Sequence, residues 1–442
     1  MGMIRDWLRR RWTASGAVKV DAPPSRADAG VTPGGLMAWA RARWPKATGP
    51  VDPLLLGVVV ALIAFGVVMV FSASSVLAQV RYHDGHYFLV RQGIFACAGV
   101  AVMLLASRID YHWIRPFTYP ILMVAVALLS YVALGFGHRA GGAARWIAVG
   151  PVHIQPAELA KVAMLLWLSY SLSKKQEAVR TFTIGVLPHV LMAGFLGLLC
   201  MRQPDFGSAV MIGVLTLVLL GTAGAKIGPL AGLVLLGAGA SFVLVASSPY
   251  RMRRVEAFLD PFGHRRDEGY QVAESLLSFG SGGTTGLGIG ESRQKMFFLP
   301  EAHTDFISAT IGEELGFVGI ACLVAAFMWI VLRGIRAALR APDDYGTFLA
   351  VGVSMFIGLQ AVTNLAVAMG MVPTKGLVLP FVSYGGSSLL VNAAAMGVLL
   401  NISRHREGAD EGAPSVSAPT TPPAAVRRRT TRPPEDFVGG AA

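Results

Sequence analysis

Apolar runs of about 20 residues recur along this 442-residue chain, with short polar stretches between them. A run of that length crosses the hydrocarbon of a bilayer as one helix. Their repetition predicts an all-α polytopic membrane protein. Ten transmembrane helices are expected, near 53–74, 88–106, 116–136, 156–173, 182–200, 207–223, 227–247, 306–333, 346–369 and 386–403. Composition agrees: 54% of residues are hydrophobic and 14% charged, and 51 glycines suit close helix packing.

Three parts follow from the pattern. Residues 1–50 form a basic tail with nine Lys/Arg against three Asp/Glu, broken by prolines and without the apolar core of a cleavable signal. Residues 51–403 form the membrane domain, and 404–442 a Pro- and Arg-containing tail that cannot build a core. Both tails are expected to be disordered. The net charge of +12 sets topology and meets anionic lipid beside membrane helices, so no nucleic-acid partner is expected. Arg108 and Arg115, then Lys174, Lys175 and Arg180, then Lys226, then Arg333, Arg336 and Arg340 fall in alternate loops, all on one side of the spans. Those loops and both termini are therefore expected in the cytoplasm.

The opposite face carries an unusually long loop, 248–305, with seven Lys/Arg and eight Asp/Glu. It reads as a folded extracytoplasmic site. Its end runs into "LPEAHTDFISATIGEELGF" at 299–317, where Glu301, His303, Asp305, Glu313 and Glu314 gather against an apolar run. Asp305 reads either as a helix-capping acid or as a base at the membrane surface. Glu313 and Glu314 lie deeper, where charge needs a partner, and are read as structural. Arg251, Arg253 and Arg254 read either as interfacial anchors or as ligands for a diphosphate. "GSGGTTGLGIG" at 280–290 lacks the Gly-Lys-Ser/Thr ending of a phosphate loop; its glycines let the loop fold tightly, and its N–H groups offer an anion nest.

Other loops supply further candidates. Arg145 and Trp146 suit the interface. Glu158 and Lys161, three apart, share a face of the fourth span. Asp205 stands at the mouth of the sixth. Gln271 lies in the long loop, and Lys375 and Ser383 in the Pro/Gly-rich "VPTKGLVLPFVSYGGSS" at 372–388. Irregular backbone at membrane depth persists only when packed in protein or lining a cavity. The nine histidines show no metal-ligand spacing, and Cys97, Cys200 and Cys322 sit inside apolar runs. No metal site is expected from these patterns.

Four motifs, "RWIAVGPVHIQPAELAK", "QPDFGSA", "LPEAHTDFISATIGEELGFVG" and "PTKGLVLPFVSYGGSSL", resemble the SEDS family of bacterial shape, elongation, division and sporulation proteins. The resemblance covers about 51–403 and is stronger to the division branch than to the elongation branch. It implies a peptidoglycan glycosyltransferase that polymerises lipid II on the outer face of the cytoplasmic membrane at the division septum. It implies a class B penicillin-binding protein and other divisome proteins as partners. Asp305 matches the family's essential acid and Trp146 a position important in the family. Arg145 and Lys161 match positions tied to a proposed flippase activity.

The residues suit that chemistry. A sugar hydroxyl attacking an anomeric carbon needs one base, while the departing lipid diphosphate needs charge neutralisation more than it needs an acid. Arg251, Arg253, Arg254 and Lys375 are candidates for that neutralisation. No cofactor is demanded; a divalent cation, Mg or Mn, is a further way to meet the same need. Glu158, Lys161, Asp205, Gln271, Glu301, His303, Glu313 and Glu314 are expected to support the site. The sequence also admits two alternatives: a lipid II translocator using Glu158, Lys161 and Glu313 or Glu314, and a non-catalytic divisome scaffold.

Overall fold

The computed structural model describes residues 49–140, 143–150, 152–267, 269–296, 298–374 and 376–405. Lys375 and nearly all of both expected tails lie outside the described residues.

The first helix, α1 (Pro53–Tyr82), starts where the sequence supplies a cap and a proline. Asp52 accepts from the N–H groups of Leu54 at 3.1 Å and Leu55 at 3.2 Å, and Pro53 fills the first helical position. The Arg333 guanidinium grips the same carboxylate with two bonds of 2.8 and 2.7 Å. There follow α2 (Tyr87–Arg108), a 3-10 turn (Tyr111–Phe117) and α3 (Thr118–Tyr131). A three-stranded antiparallel sheet comes next: β1 (His138–Ala140), β2 (Ala143–Val149) and β3 (Val152–Ile154). Trp146 pairs with His138, and Ile147 with Ile154. This small sheet occupies what the hydropathy pattern marks only as a loop.

Helices α4 (Pro156–Lys174), α5 (Leu187–Arg202), α6 (Phe206–Thr222) and α7 (Ile227–Ala246) complete the first part. The long loop then folds into α8 (Pro249–Leu259) and α9 (Tyr270–Gly282). The last helices among the described residues are α10 (Ile307–Leu339), α11 (Asp344–Ala368) and α12 (Gly386–Ser403). Eight helices among the described residues are long and apolar enough to cross a membrane. The other two expected spans are α6, apolar but shorter, and α4, which carries Glu158, Lys161 and Lys174. The protein is a multi-pass membrane protein.

Burial follows the logic of a lipid solvent. Large apolar residues such as Ile94, Met123, Leu134, Leu235 and Phe242 face outward, while Ser72, Gln92, Glu158, Lys161, Asn364 and Asn392 are buried. Polar groups inside a bundle find partners there that hydrocarbon does not offer. One apolar core joins α1, α2, α10, α11 and α12; a second joins α3 to α6. A small third core, Leu299, Ala302, Phe306, Ala309, Val367 and Ala368, lies around the start of α10.

Helix α10 is broken. Gly316 adopts φ 65° and ψ −161°, outside the helical range. The break frees carbonyls of the preceding turn, and the glycine-rich loop takes them up. Leu287 N–H donates to the Glu313 carbonyl and Gly288 N–H to the Glu314 carbonyl, both at 3.0 Å. In return Phe317 N–H donates to Gly283 at 2.9 Å and Val318 N–H to Thr284 at 3.1 Å. A Cβ on Gly316 would lie 2.4 Å from the Gly286 nitrogen, so the two backbones approach as only glycine permits. The expected anion nest is thereby corrected: Gly286, Leu287 and Gly288 spend their N–H groups on main-chain carbonyls. The glycines pack the loop against a helix break.

Candidate active site

Asp305 stands on the turn 301–306 that leads into α10. It does not cap that helix. The N-cap position is Phe306, and no side chain bonds the first turn. Thr304 is also occupied elsewhere, its hydroxyl donating to the Glu301 carboxylate at 2.8 Å. The capping role that competed for Asp305 is therefore unfilled, and its carboxyl faces the segment 376–384. A Cβ on Gly376 would stand 2.9 Å from Asp305 Oδ2. Glycine at that position lets the chain approach the acid.

Hydrogen bonds to main-chain groups tie the turn 301–306 to the segment 376–384 and to α11. The Ser383 hydroxyl donates to the Thr304 carbonyl at 2.6 Å and accepts from Leu379 N–H at 2.8 Å. Tyr384 N–H donates to the His303 carbonyl at 2.9 Å. The His303 ring packs against Phe88 and Tyr384, with ring centres 4.8 and 5.7 Å away. From α11, the Asn364 amide donates to the carbonyls of Asp305 at 2.8 Å and Leu377 at 2.7 Å. The sequence reading missed Asn364. Its signal was a lone amide inside the apolar run "AVTNLAVA".

The electrostatics gather four acidic and basic candidates around one proton. Burial, with smaller contributions from the Glu301 and Asp205 charges and opposed by Arg145, pushes the Asp305 carboxyl up to about 7. A carboxylate with that affinity is poised as a base near neutral pH. Burial holds the His303 imidazole below its usual value, against the pull of Glu301. Arg145 is anchored by the Gln203 carbonyl at 3.0 Å and the Pro204 carbonyl at 2.6 Å. Asp205 caps α6 by accepting from Ser208 N–H at 3.0 Å and the Ser208 hydroxyl at 2.7 Å, and Gln155 reaches it at 3.4 Å. Trp146 is half-buried on β2 beside Arg145.

The three arginines of α8 separate. Arg254 reaches the Thr374 carbonyl at 3.4 Å, beside the Asp305-facing segment. Arg251 turns to the Leu244 carbonyl at 2.9 Å, at the end of α7. Arg253 is exposed. Arg251 is thus tied to the end of α7, and Arg254 is the one of the three with a bond to the segment leading to Gly376. Gln271 is half-buried in the first turn of α9.

Four supporting candidates pair away from Asp305. Lys161 donates to Glu158 at 2.7 Å within α4, and its ammonium lies 5.6 Å from the Phe356 ring centre. Glu313 accepts from the Ser292 hydroxyl at 2.5 Å and from Arg293 N–H at 3.0 Å. Glu314 accepts from Ser72 at 2.6 Å and from Lys295 at 3.0 Å. Those two glutamates fasten the loop after the glycines to α1 and α10. Ser72 and Lys295 were not singled out by sequence, because an ordinary serine and a loop lysine carry no motif.

A sequence profile for cell cycle proteins of the FtsW, RodA and SpoVE type matches residues 53–408. The chain belongs to the FtsW/RodA/SpoVE family. A probable peptidoglycan glycosyltransferase FtsW of Geobacter metallireducens is 47% identical over 358 residues, covering 81% of this chain and 96% of that relative. Stage V sporulation protein E of Bacillus subtilis is 41% identical over 364 residues, covering 81% and 98%. A solved chain from a peptidoglycan synthase complex that coordinates polymerization and crosslinking is similar with a TM-score of 0.65 at 28% identity, over 80% of this chain and 98% of its own. The rod shape determining protein RodA of Thermus thermophilus gives 0.60 at 28% identity, over 80% and 97%. Asp305 and the residues bonded around it all fall within the family's matched span.

Proposed function

We propose that this protein is a peptidoglycan glycosyltransferase that polymerises lipid II during cell division, with Asp305 as the general base. One observation carries the assignment of the base: a carboxyl poised near 7 at the mouth of a membrane helix, beside a Gly/Pro-rich segment and two basic side chains. The names of the FtsW relatives and the likeness to a peptidoglycan synthase chain support the reaction class.

Asp305 takes the proton of the acceptor sugar hydroxyl as its oxygen forms a bond to the anomeric carbon of the donor. The bond from that carbon to the diphosphate oxygen breaks with its electron pair, and undecaprenyl diphosphate departs. One displacement inverts the anomeric centre. Arg254 and Lys375, with Arg145, neutralise the developing phosphate charge; Mg or Mn would serve the same end. The site faces the extracytoplasmic side of the inner membrane at the septum, and a single-span class B penicillin-binding protein crosslinks the product strand.

Polymerisation of lipid II by purified Asp305→Asn protein, alone and with the transpeptidase, tests the reading. A loss of about 10²- to 10⁴-fold is expected from removing such a base. Near-normal chain formation by the folded variant would sink it. Substrate supplied only on the outer side separates a polymerase from a translocator, which makes no glycan from it.

A further inference from the structure

A second cluster of ionisable side chains lies at the far end of α2 from His303 and Asp305. Helix α2 begins beside the His303 ring and ends at Arg108, roughly 33 Å away at 1.5 Å per residue. Just beyond it are Asp110 and His112, and against them lies His405, after the end of α12. His112 is 2% exposed and His405 5%. One donor atom from each of the three residues lies within 4.8 Å of the other two.

The hydrogen bonds on the outer side of each imidazole decide what the inner side offers. His405 Nδ1 lies 3.2 Å from the Asn401 carbonyl, which only accepts, so that nitrogen carries the proton. Its Nε2 then holds a lone pair. That atom is buried, has no hydrogen-bond partner, and stands 3.6 Å from Asp110 Oδ2. His112 Nε2 lies 3.4 Å from the Asp343 carboxylate, and its Nδ1 stands 2.6 Å from Asp110 Oδ1. Asp343 is itself fixed by the Tyr111 hydroxyl at 2.5 Å and Gly346 N–H at 3.0 Å. A carboxylate and two imidazole nitrogens thus converge with their outer partners already assigned. A proton on His112 Nδ1 settles its contact with Asp110, and His405 Nε2 keeps only its 3.6 Å approach to Asp110 Oδ2. A metal cation settles all three.

We propose that Asp110, His112 and His405 bind one divalent transition-metal ion, with zinc the ion best suited to two imidazoles and one carboxylate. Borderline cations favour that donor set at about 2.0–2.2 Å. A carboxylate or carbonyl behind each ligating imidazole is the usual outer-shell arrangement, and here Asp343 and Asn401 supply it. The ion clasps the α2–α3 connection to the end of α12. It acts on the opposite side of the protein from Asp305 and does not depend on the proposed polymerase activity.

The test uses the full-length protein in detergent, purified with a tag that contains no histidine. After chelator treatment and dialysis, zinc chloride is titrated and bound metal is measured by mass spectrometry. Cobalt chloride is added to a parallel sample for its visible absorption. One zinc per chain and a nitrogen-containing cobalt spectrum are expected. Asp110→Asn and His405→Gln should each weaken binding at least tenfold, and Asp343→Asn by about 10- to 100-fold. Asp305→Asn should bind as wild type does. Much less than one zinc per chain at micromolar metal, or wild-type affinity in folded His405→Gln, would overturn the site. If a ligand variant fails to fold, the wild-type cobalt spectrum still decides, because absence of imidazole coordination is fatal to the proposal.

Discussion

Asn364 belongs to α11, yet its side-chain amide donates to the main-chain carbonyl of Asp305 at 2.8 Å. The same amide donates to Leu377 at 2.7 Å, and its oxygen accepts from Ser308 at 3.0 Å. Asn364→Leu removes all three bonds at nearly constant volume. Each buried carbonyl left unmet costs about 1–3 kcal/mol. Displacement of the base should lower turnover on lipid II about 10- to 100-fold. The acid limb of the pH profile should stay where it is, which separates positioning from proton transfer.

Turnover should depend on pH through Asp305. Its carboxyl, pushed up to about 7, accepts a proton only when ionised. The rate should therefore fall about tenfold per unit of pH below 7. Glu301→Gln removes a charge that raises Asp305 and should move this limb downward. Arg145→Ala removes one that lowers it and should move the limb upward. Initial rates across pH 5 to 9 check both directions.

Stability should carry the same signature with the opposite sense. Folded Asp305 holds its proton up to about 7, whereas the unfolded chain releases it near 4. Its stabilising contribution is present below the unfolded value and is lost as pH rises towards 7. Asp305→Asn should therefore raise the melting temperature more at pH 8 than at pH 5. Melting of the detergent-solubilised protein at the two pH values is the measurement.

Gly316→Ala should cripple folding. The residue sits at φ 65°, and a Cβ would lie 2.4 Å from the Gly286 nitrogen. A strained backbone of this kind costs about 1–3 kcal/mol before the clash is counted. The folded, monodisperse yield should drop several-fold by size-exclusion chromatography. An alanine at Gly57, which has open space around it, is the control.

Lys161→Met should destabilise by about 3–5 kcal/mol, because Glu158 is left charged and buried. The double change Glu158→Gln with Lys161→Met should recover most of the loss. Thermal melts of the three proteins form the cycle, and equal damage from single and double changes would deny the coupling.

The features legible in the sequence were those with a period or a local motif. Apolar runs located the helices, and the carboxylates at 299–317 marked the turn that leads into α10. Glu158 and Lys161 were readable as a pair because helix geometry places residues three apart on one face. The sheet at 138–154 escaped because its strands are short and lie in a segment with no strong alternation. Asn364 and Lys295 act across spans, and no local pattern reports which spans touch. The same holds for His112 and His405, whose meeting needs the first and last parts of the membrane domain to close on each other. Arg251 and Arg254 looked alike as neighbours in a basic cluster, but helix rotation sends them to different partners.

Asp305 is joined by covalent bonds to α10, by a hydrogen bond to Asn364 of α11 and by close packing to Gly376, while its neighbour Thr304 accepts from Ser383. The discontinuity at Gly316 divides α10 into a short piece behind the acid and a long one that ends near the Arg333–Asp52 fork. Main-chain bonds from residues 283–288 to both sides of Gly316 splint that joint. The base thus takes its coordinates from the neighbouring span, and a loop that precedes it in the chain sets the angle between the two pieces of the helix it introduces.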